Sequence, residues 1–389
     1  MSPPLIPLGE ITTSIMGQAP PSDYCNREGM GTPFVKAGEF GASRPVIREW
    51  TTKPLKVAKR SDVLLCVVGA TCGKINRGED CAIGRSVAAI RCNPEHLDNE
   101  YLFYFLGTFT ERLRQRSQGA AQTVITREMI AELPIPLPPL PEQRRIAAIL
   151  DKADALRARR REAIAKLDQL LQSVFLDMLG AGEVGRFPLV ALDDAYWFQE
   201  GPGVRKWQFT EAGVKLLNVG NIEKDGTIDL SKTDRHVSIE EAHGKYRHFL
   251  VDAGDLVIAS SGVSFDIDGL LRTRGGFITS SHLPLCMNTS TIRFKALKGK
   301  SSLRFLQAWI NSAGFRKQIT RLVTGSAQQN FGPSHLRQLS IPLPPLAEQD
   351  RFGCIAERVE ERKRSALHHM TQLDHLFSSL QRDAFSGAL

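Results

Sequence analysis

The spacing of apolar residues changes along the chain in a repeating order. Short, nearly continuous apolar runs come first, VLLCVVGA at 63–70 and VAAIRC at 87–92, and they return as DLVIAS at 255–260 and STIRF at 290–294. Runs of this length, rich in Val and Ile, predict buried strands. Helical spacing follows each set, in NEYLFYFLGTFTERLRQR at 99–116 and SSLRFLQAWINSAGFRKQI at 301–319. A third regime begins at 142, where neither Gly nor Pro occurs up to about 179 and the apolar residues fall at heptad spacing. With Ile146 as position a, the a series is Ile146, Ala153, Arg160, Leu167 and Val174, and the d series is Ile149, Leu156, Ala163, Leu170 and Asp177. A helix of about 38 residues is roughly 57 Å long, longer than a small domain is wide. It needs a partner along its length, either its own globular domain or, as the spacing favours, a second such helix.

That second helix is in the sequence. LPIPLPPLPEQRRI at 133–146 returns as LSIPLPPLAEQDRF at 339–352, a shift of 206 residues, and LDQLL at 167–171 meets LDHLF at 373–377 at the same shift. The shift places Phe352, Val359, Ala366, Leu373 and Leu380 at a, with Ile355, Arg362, His369, Leu376 and Asp383 at d; Arg160 and Arg362 interrupt the seams. Upstream the echoes are weaker: TPFVKAGEF at 32–40 resembles VKLLNVGNI at 214–222, and SDVLLCVVG at 61–69 resembles GDLVIASSG at 254–262. The chain is therefore a duplication, with boundaries expected at 1–140 and 181–346 for two globular domains and at 141–180 and 347–389 for two long helices. The prolines of the strip fix φ and push each preceding residue out of the helical region, which predicts a stiff, extended connector, with Pro141 at the first helical position and Glu142 at the positive end of the helix dipole. The alternative, a peptide ligand for an SH3-type groove, fits poorly because the strip runs straight into a helix in both copies.

Composition narrows the class without choosing it. The 389 residues, 42% apolar and 24% charged, describe a globular protein too long for one core. No run of about 18 apolar residues is present to cross a membrane, and MSPPLIPLGE lacks the features of a signal peptide, so a cytoplasmic location is expected. The formal charge of +8 suits a polyanionic partner, and most of the excess lies in the two large segments, not in a tail. Of seven cysteines, Cys66, Cys72, Cys81 and Cys92 cluster in sequence; buried reduced thiols fit better than a disulfide pair or a metal site.

Catalytic strings are incomplete. GATCGK at 69–74 is one residue short of a phosphate loop, with Ile75 where a hydroxyl is needed. Asn93-Pro94-Glu95 lacks the second proline and the stacking ring of an amino-methyltransferase motif. Glu361-Arg362-Lys363 has the end of a nuclease site but sits inside a coil, and neighbouring His368 and His369 point in different directions. A non-catalytic chain is expected, against the rival readings of a diverged single-chain restriction or methylation enzyme and of a scaffold that binds protein only.

Two α/β domains, each followed by an I-P-L-P-P-L-x-E-Q strip and a long helix, resemble the specificity subunit of Type I restriction–modification enzymes over essentially the whole chain. The segments GAAQ at 119–122 and GSAQ at 325–328 are similar to that family's turn before a short helix. The resemblance implies a tandem repeat of two α/β target-recognition domains whose helices pair as an antiparallel coiled coil, each domain reading half of an asymmetric double-stranded DNA site. Ile146, Ile149, Leu156, Leu167, Leu170, Phe352, Ile355, Val359, Leu373 and Leu376 would form the coil and its docking platform. It further implies two modification subunits and a motor-nuclease as partners, which would carry S-adenosylmethionine, ATP and Mg, leaving this chain with no cofactor or metal of its own. For DNA contact, cations and amide side chains are the natural groups: Lys53, Lys56, Lys59, Arg60, Gln122 and Thr123 in the first domain, and Lys245, Arg247, Arg272, Arg274, Gln328 and Gln329 in the second. Trp50, Trp197 and Trp207 lie near basic residues and are candidates either for stacking or for ordinary packing.

Overall fold

A computed structural model describes residues 3–69, 71–117, 124–180, 186–266, 268–323 and 330–386. The chain divides into two compact units, one of Met1–Glu162 with Ala366–Leu389 and one of Ala163–Ser365. Each unit is α/β. Each contains the first half of one long helix and the second half of the other.

In the first unit a four-stranded antiparallel sheet runs in the order Thr12–Met16, Val87–Cys92, Val63–Cys66, Ile75–Arg77. The apolar runs predicted as strands are its central members, and Val63, Leu64, Leu65 and Cys66 are all buried. A five-stranded sheet of the same unit has the neighbour order Cys25–Asn26, Trp50–Thr51, Thr32–Val35, Cys81–Ile83, Val57–Ala58, with Thr32–Val35 and Cys81–Ile83 parallel. The helix Asn99–Ser117 buries Tyr101, Leu102, Phe105 and Leu106 in the core beneath the first sheet.

The second unit repeats the plan. Its four-stranded sheet is ordered Tyr196–Glu200, Thr291–Ala296, Leu256–Ala259, Gly275–Phe277, and a parallel pair joins Val214–Leu217 to Leu285–Met287. The weak echo between 32–40 and 214–222 is one structure twice, a strand followed by a 3₁₀ turn, Ala37–Glu39 and Val219–Asn221. In both units a glycine follows the first strand of the sheet because backbone comes too close for anything larger. A Cβ at Gly17 would stand 2.2 Å from the Gly84 carbonyl oxygen, and one at Gly201 2.2 Å from that of Asn288. The predicted helix at 301–319 is two, Leu303–Asn311 and Ala313–Val323; Ser312 breaks it by donating its backbone N–H and its Oγ–H to the Trp309 carbonyl.

The proline strip is extended, as its composition predicts, but it is a strand and not a free connector. Pro134–Pro136 pairs antiparallel with Leu5–Pro7, and Ser340–Pro342 with Leu189–Ala191. Leu8 N–H to Leu133 O and Leu137 N–H to Pro4 O, both 2.9 Å, bracket the Ile6–Ile135 rung. Alternation thus leaves Pro7, Pro134 and Pro136 where the ladder asks for no donor. The first long helix runs Leu140–Met178, so Pro141 is its second residue and not its first, and the second runs Leu346–Ser386.

Immediately inside each helix a glutamine is fully buried. Gln143 accepts the Asp98 N–H at 2.9 Å and donates to the carbonyls of His96 at 2.9 Å and Pro138 at 2.8 Å. Gln349 does the same with Ser302 N–H, Lys300 O and Pro344 O. Each amide ties the strip, the helix start and the entry to the domain helix into one joint, and satisfies its own buried donors and acceptor on their backbone groups.

The coil seam is displaced by one residue from half of its predicted positions. Ile146, Phe352 and Val359 are buried and Leu167 and Leu373 half-buried, as their assignment requires. Their companions are Leu150, Ile164, Leu171, Ala356, Met370 and Phe377, one residue after the predicted d positions. Ile149 and Ile355 are half-buried, whereas Leu156, Leu170 and Leu376 are 53%, 49% and 52% exposed. Adjacent apolar pairs such as Ile149–Leu150 and Leu170–Leu171 fit either register, and only the partner decides. The seam cations are Arg157 and Lys363, not Arg160 and Arg362. In the first unit Arg157 Nε donates to Asp374 at 2.7 Å with its guanidinium 4.3 Å over the Phe377 ring; in the second, Lys363 Nζ meets Asp168 at 2.7 Å. These are the same two positions under the 206-residue shift. Lys363 facing Asp168 while Phe352 faces Phe175, centroids 5.5 Å apart, makes the pairing antiparallel.

The end of each helix covers the other copy's domain helix. Phe377 and Phe385 pack edge-on against Tyr104 and Phe105, with Phe385 also 5.2 Å from Tyr101, and Phe175 packs against Phe305. Two outcomes are expected from this joint-and-cover scheme. Gln143→Ala removes three hydrogen bonds between a buried amide and the backbone and should cost about 3 kcal/mol, read as a lower denaturant midpoint for the first domain, with Gln349→Ala doing the same to the second; an unchanged midpoint would refute the joint. Phe377→Ala should cost about 3 kcal/mol and speed hydrogen exchange at 101–106, far away in sequence but in the same core.

Candidate nucleic-acid interface

Of the first-domain candidates, Lys53 and Lys56 lie between two strands, Trp50–Thr51 and Val57–Ala58, and Lys59 and Arg60 lie just after the second. Lys53, Lys56, Lys59 and Arg60 are all exposed. The backbone beneath them is pinned: Lys53 N–H donates to Thr51 Oγ1 at 3.2 Å, Ile83 N–H to Lys56 O at 2.9 Å, Lys59 N–H to Asp62 Oδ2 at 2.8 Å and Arg60 N–H to Asp80 Oδ1 at 3.0 Å. Arg60 has a distant carboxylate partner, Glu79 at 4.0 Å, and the Lys53 ammonium lies 4.9 Å over the Tyr24 ring. The four cations thus form a strip on a fixed loop. Trp50, half-buried in a two-residue strand, is placed for packing. Gln122 and Thr123 lie outside the described residues.

The second-domain candidates divide between two places. Lys245 and Arg247 follow the short helix Ile239–His243, both exposed, with the Lys245 ammonium 5.1 Å over Tyr246. Arg247 borders a groove with Trp197, Gln199, His248, Asp252, Arg293 and Lys295. Arg272 is exposed on the hairpin Ser264–Phe265/Leu271–Arg272, while Arg274 is half-buried and its carbonyl accepts the Ala259 N–H. Gln328 and Gln329 lie outside the described residues. Trp197, 41% exposed, has the Arg293 guanidinium 5.0 Å from its ring.

Beneath these loops lies a pair that pattern reading missed. Asp62 is buried and takes a two-pronged bond from Arg91, Nε to Oδ1 at 2.9 Å and Nη2 to Oδ2 at 2.8 Å. In the second unit buried Asp255 faces buried Arg293 at 3.5 Å. Each aspartate also accepts the N–H three residues before it, Lys59 or Asp252, at 2.8 Å. Burial pushes the Asp255 carboxyl up, against the pull of Lys295 and Arg293. The echo of SDVLL in GDLVI carried this signal, since an acid opening a buried strand needs a buried partner. The arrangement is a brace: in the first unit it pins the segment that carries Lys59 and Arg60, and in the second Arg293 donates to the carbonyls of His248 and Leu250, in the segment that follows Arg247.

Among the described residues no group of three or more His, Cys, Asp or Glu side chains is arranged to hold a metal ion. Cys66 and Cys81 are buried, and burial pushes the Cys81 thiol up to about 12. Among the described residues no helix is long and apolar enough to cross a membrane.

Known proteins agree with this architecture. Residues 5–167 match the model of the Type I restriction modification DNA specificity domain. Over 167 residues the chain is 37% identical to the MjaX specificity subunit of a type I restriction enzyme from Methanocaldococcus jannaschii, covering 42% of this chain and 39% of that protein. The MjaVIII specificity subunit of the same organism is 25% identical over 348 residues, 86% of this chain and 76% of that one. The S subunit of a Type I restriction–modification system from M. genitalium shares the fold with a TM-score of 0.60 at 14% identity, each chain covered to 99%. A chain solved in work on assembly and conformational transition of the type I R-M system superposes with a TM-score of 0.57 at 17% identity, covering 100% of this chain and 98% of that one. With a duplicated α/β domain, a repeated strip and paired long helices, the chain resembles the specificity subunits of Type I restriction–modification systems, and its residues 5–167 match their DNA specificity domain.

Proposed function

We propose that each domain reads one half of a bipartite, asymmetric site in double-stranded DNA, and that the helix pair sets the distance between the halves. The observation that carries this reading is the duplication itself: the two domains share strand order, glycine approach, aspartate brace and glutamine joint, yet their loops carry different side chains. One scaffold with two surfaces is what two unlike half-sites require. The loop cations would neutralise phosphates, and the residues they hold in the groove would read base edges.

The long helices would also seat two modification subunits. Leu156, Leu170, Leu176, Leu367 and Leu376 stand outside the seam and exposed, an apolar series that a partner helix would cover. Those partners would bring S-adenosylmethionine and adenine methylation, and a motor-nuclease would bring ATP, Mg, translocation and cleavage. The chain itself would be non-catalytic and work in the cytoplasm, where the DNA is.

Mapping methylated adenines in cells with and without the chain tests the reading: a split motif present only with the chain is expected, and methylation without a partner subunit, or a motif without a gap, would overturn it. The ruler has a sharper test. Deleting 158–164 and 364–370 removes one heptad from each helix between the ion-pairing positions, and leaves Arg157, Asp168, Lys363 and Asp374 in place. Seven residues span about 10 Å, so the gap should shorten by about three base pairs with both half-sites unchanged. An unaltered gap would count against the ruler.

A further inference from the structure

The most exposed aromatic ring in the chain belongs to a surface turn of the second domain. Trp207 is 80% exposed, a large apolar area to leave in water. The turn that carries it, Lys206–Gln208, is rigid. Gln208 is buried, accepts the Arg205 N–H at 3.1 Å, and donates to Glu241 Oε1 at 2.9 Å and to the Tyr246 hydroxyl at 2.8 Å. The ring is therefore held out by a buried anchor directly beside it in sequence, and its exposure is not that of a loose loop.

Cations surround it. Arg205 and Lys206 precede it and are exposed, and Arg235 lies 5.3 Å over the ring of Phe209, two residues beyond. None of the three forms an ion pair among the described residues. The neighbouring acids are Glu241, bonded to Gln208, Asp234, exposed and 3.8 Å from Lys215, and the exposed Glu211 and Glu240. Lys245, already a candidate, adjoins Tyr246 and so stands on the same anchored corner.

The first domain has this turn too. Ser22–Tyr24 begins five residues after Gly17, as Lys206–Gln208 begins five after Gly201, and each follows the glycine that closes the first sheet strand. Tyr24 there is 45% exposed, with the Lys53 ammonium over its ring. Two domains whose loops otherwise differ both present an aromatic ring with a cation at the same turn.

We infer that this turn is a DNA contact in each domain, Trp207 with Arg205, Lys206 and Arg235 in the second and Tyr24 with Lys53 in the first, the cations meeting phosphates and the ring packing on the sugars and bases between them. This rests on the DNA-reading role proposed above. An aromatic face suits the apolar side of a nucleotide, and its cations suit the charge beside it. A protein partner would be served by the ring but not by three unpaired cations.

The test uses the full chain assembled with its modification subunits and a duplex carrying the mapped motif. Arg205→Ala with Lys206→Ala should lower the slope of log K against log salt by about 1.8, at about 0.9 per phosphate. Trp207→Ala should weaken binding about tenfold, with Trp207→Phe recovering part of it. In the parent, the Trp207 emission, taken as the difference from Trp207→Phe, should become shielded from acrylamide when the duplex binds. Because the ring is exposed, unchanged thermal unfolding should accompany each variant. Parent binding with unaltered slope, affinity and quenching in the variants would overturn the inference and leave the recognition role standing. Loss of modification-subunit capture with DNA affinity intact would make the turn a protein contact and also overturn it. A parent complex without DNA affinity would remove both.

Discussion

An α-helix of about 40 residues has no stable existence in water unless its apolar stripe is covered. Here the cover comes from the other copy of the same helix, run the opposite way. The arrangement makes the two halves of the chain interdependent within each unit: the first domain is completed by the last helix, through Phe377, Leu380 and Phe385, and the second by the end of the first helix, through Phe175. Arg157 with Asp374 and Lys363 with Asp168 then mark the register at two equivalent points. A hydrophobic seam alone slides by a heptad at modest cost, and two partly exposed ion pairs beside the seam add a modest preference for one register.

A second constraint operates where domain meets helix. Proline removes donors from the strip, so its carbonyls and the neighbouring turns need partners brought from elsewhere. Gln143 and Gln349 supply an acceptor and two donors in one planar group. A rigid strand and a locked amide leave no hinge at this place. The direction of each domain on its own helix is therefore set by backbone hydrogen bonds that do not depend on the loops.

That separation frees the loops to differ. The buried Asp62–Arg91 and Asp255–Arg293 pairs hold the cation-bearing segments. A buried ion pair is a weak contributor to net stability but a strong selector of one geometry, since breaking either side leaves an uncompensated charge. The surface above can change residue by residue while the brace stays. The absence of long sequence matches between the two domains, despite equal strand order, is the expected consequence.

Much of this was legible in the sequence. The duplication, the strands at 63–66 and 87–92, the long helices and the coil itself follow from periodicity and proline chemistry, which act locally. What required the tertiary structure was every choice among near-equal local options. Ile149 and Leu150 are both apolar, and only the tertiary structure decides that Leu150 is the one fully buried. The strip reads as a stiff connector until Leu5–Pro7 arrives from the other end of the domain to pair with it. Tyr24 and Trp207 sit in unlike sequences, and only the equivalent glycine approaches show that they occupy one turn. Sequence by itself determined which elements exist and that they occur twice, because hydrophobic spacing and backbone sterics are properties of a few consecutive residues. Tertiary structure alone decided register, partners and which side chains are left in water, because those depend on contacts between residues hundreds of positions apart.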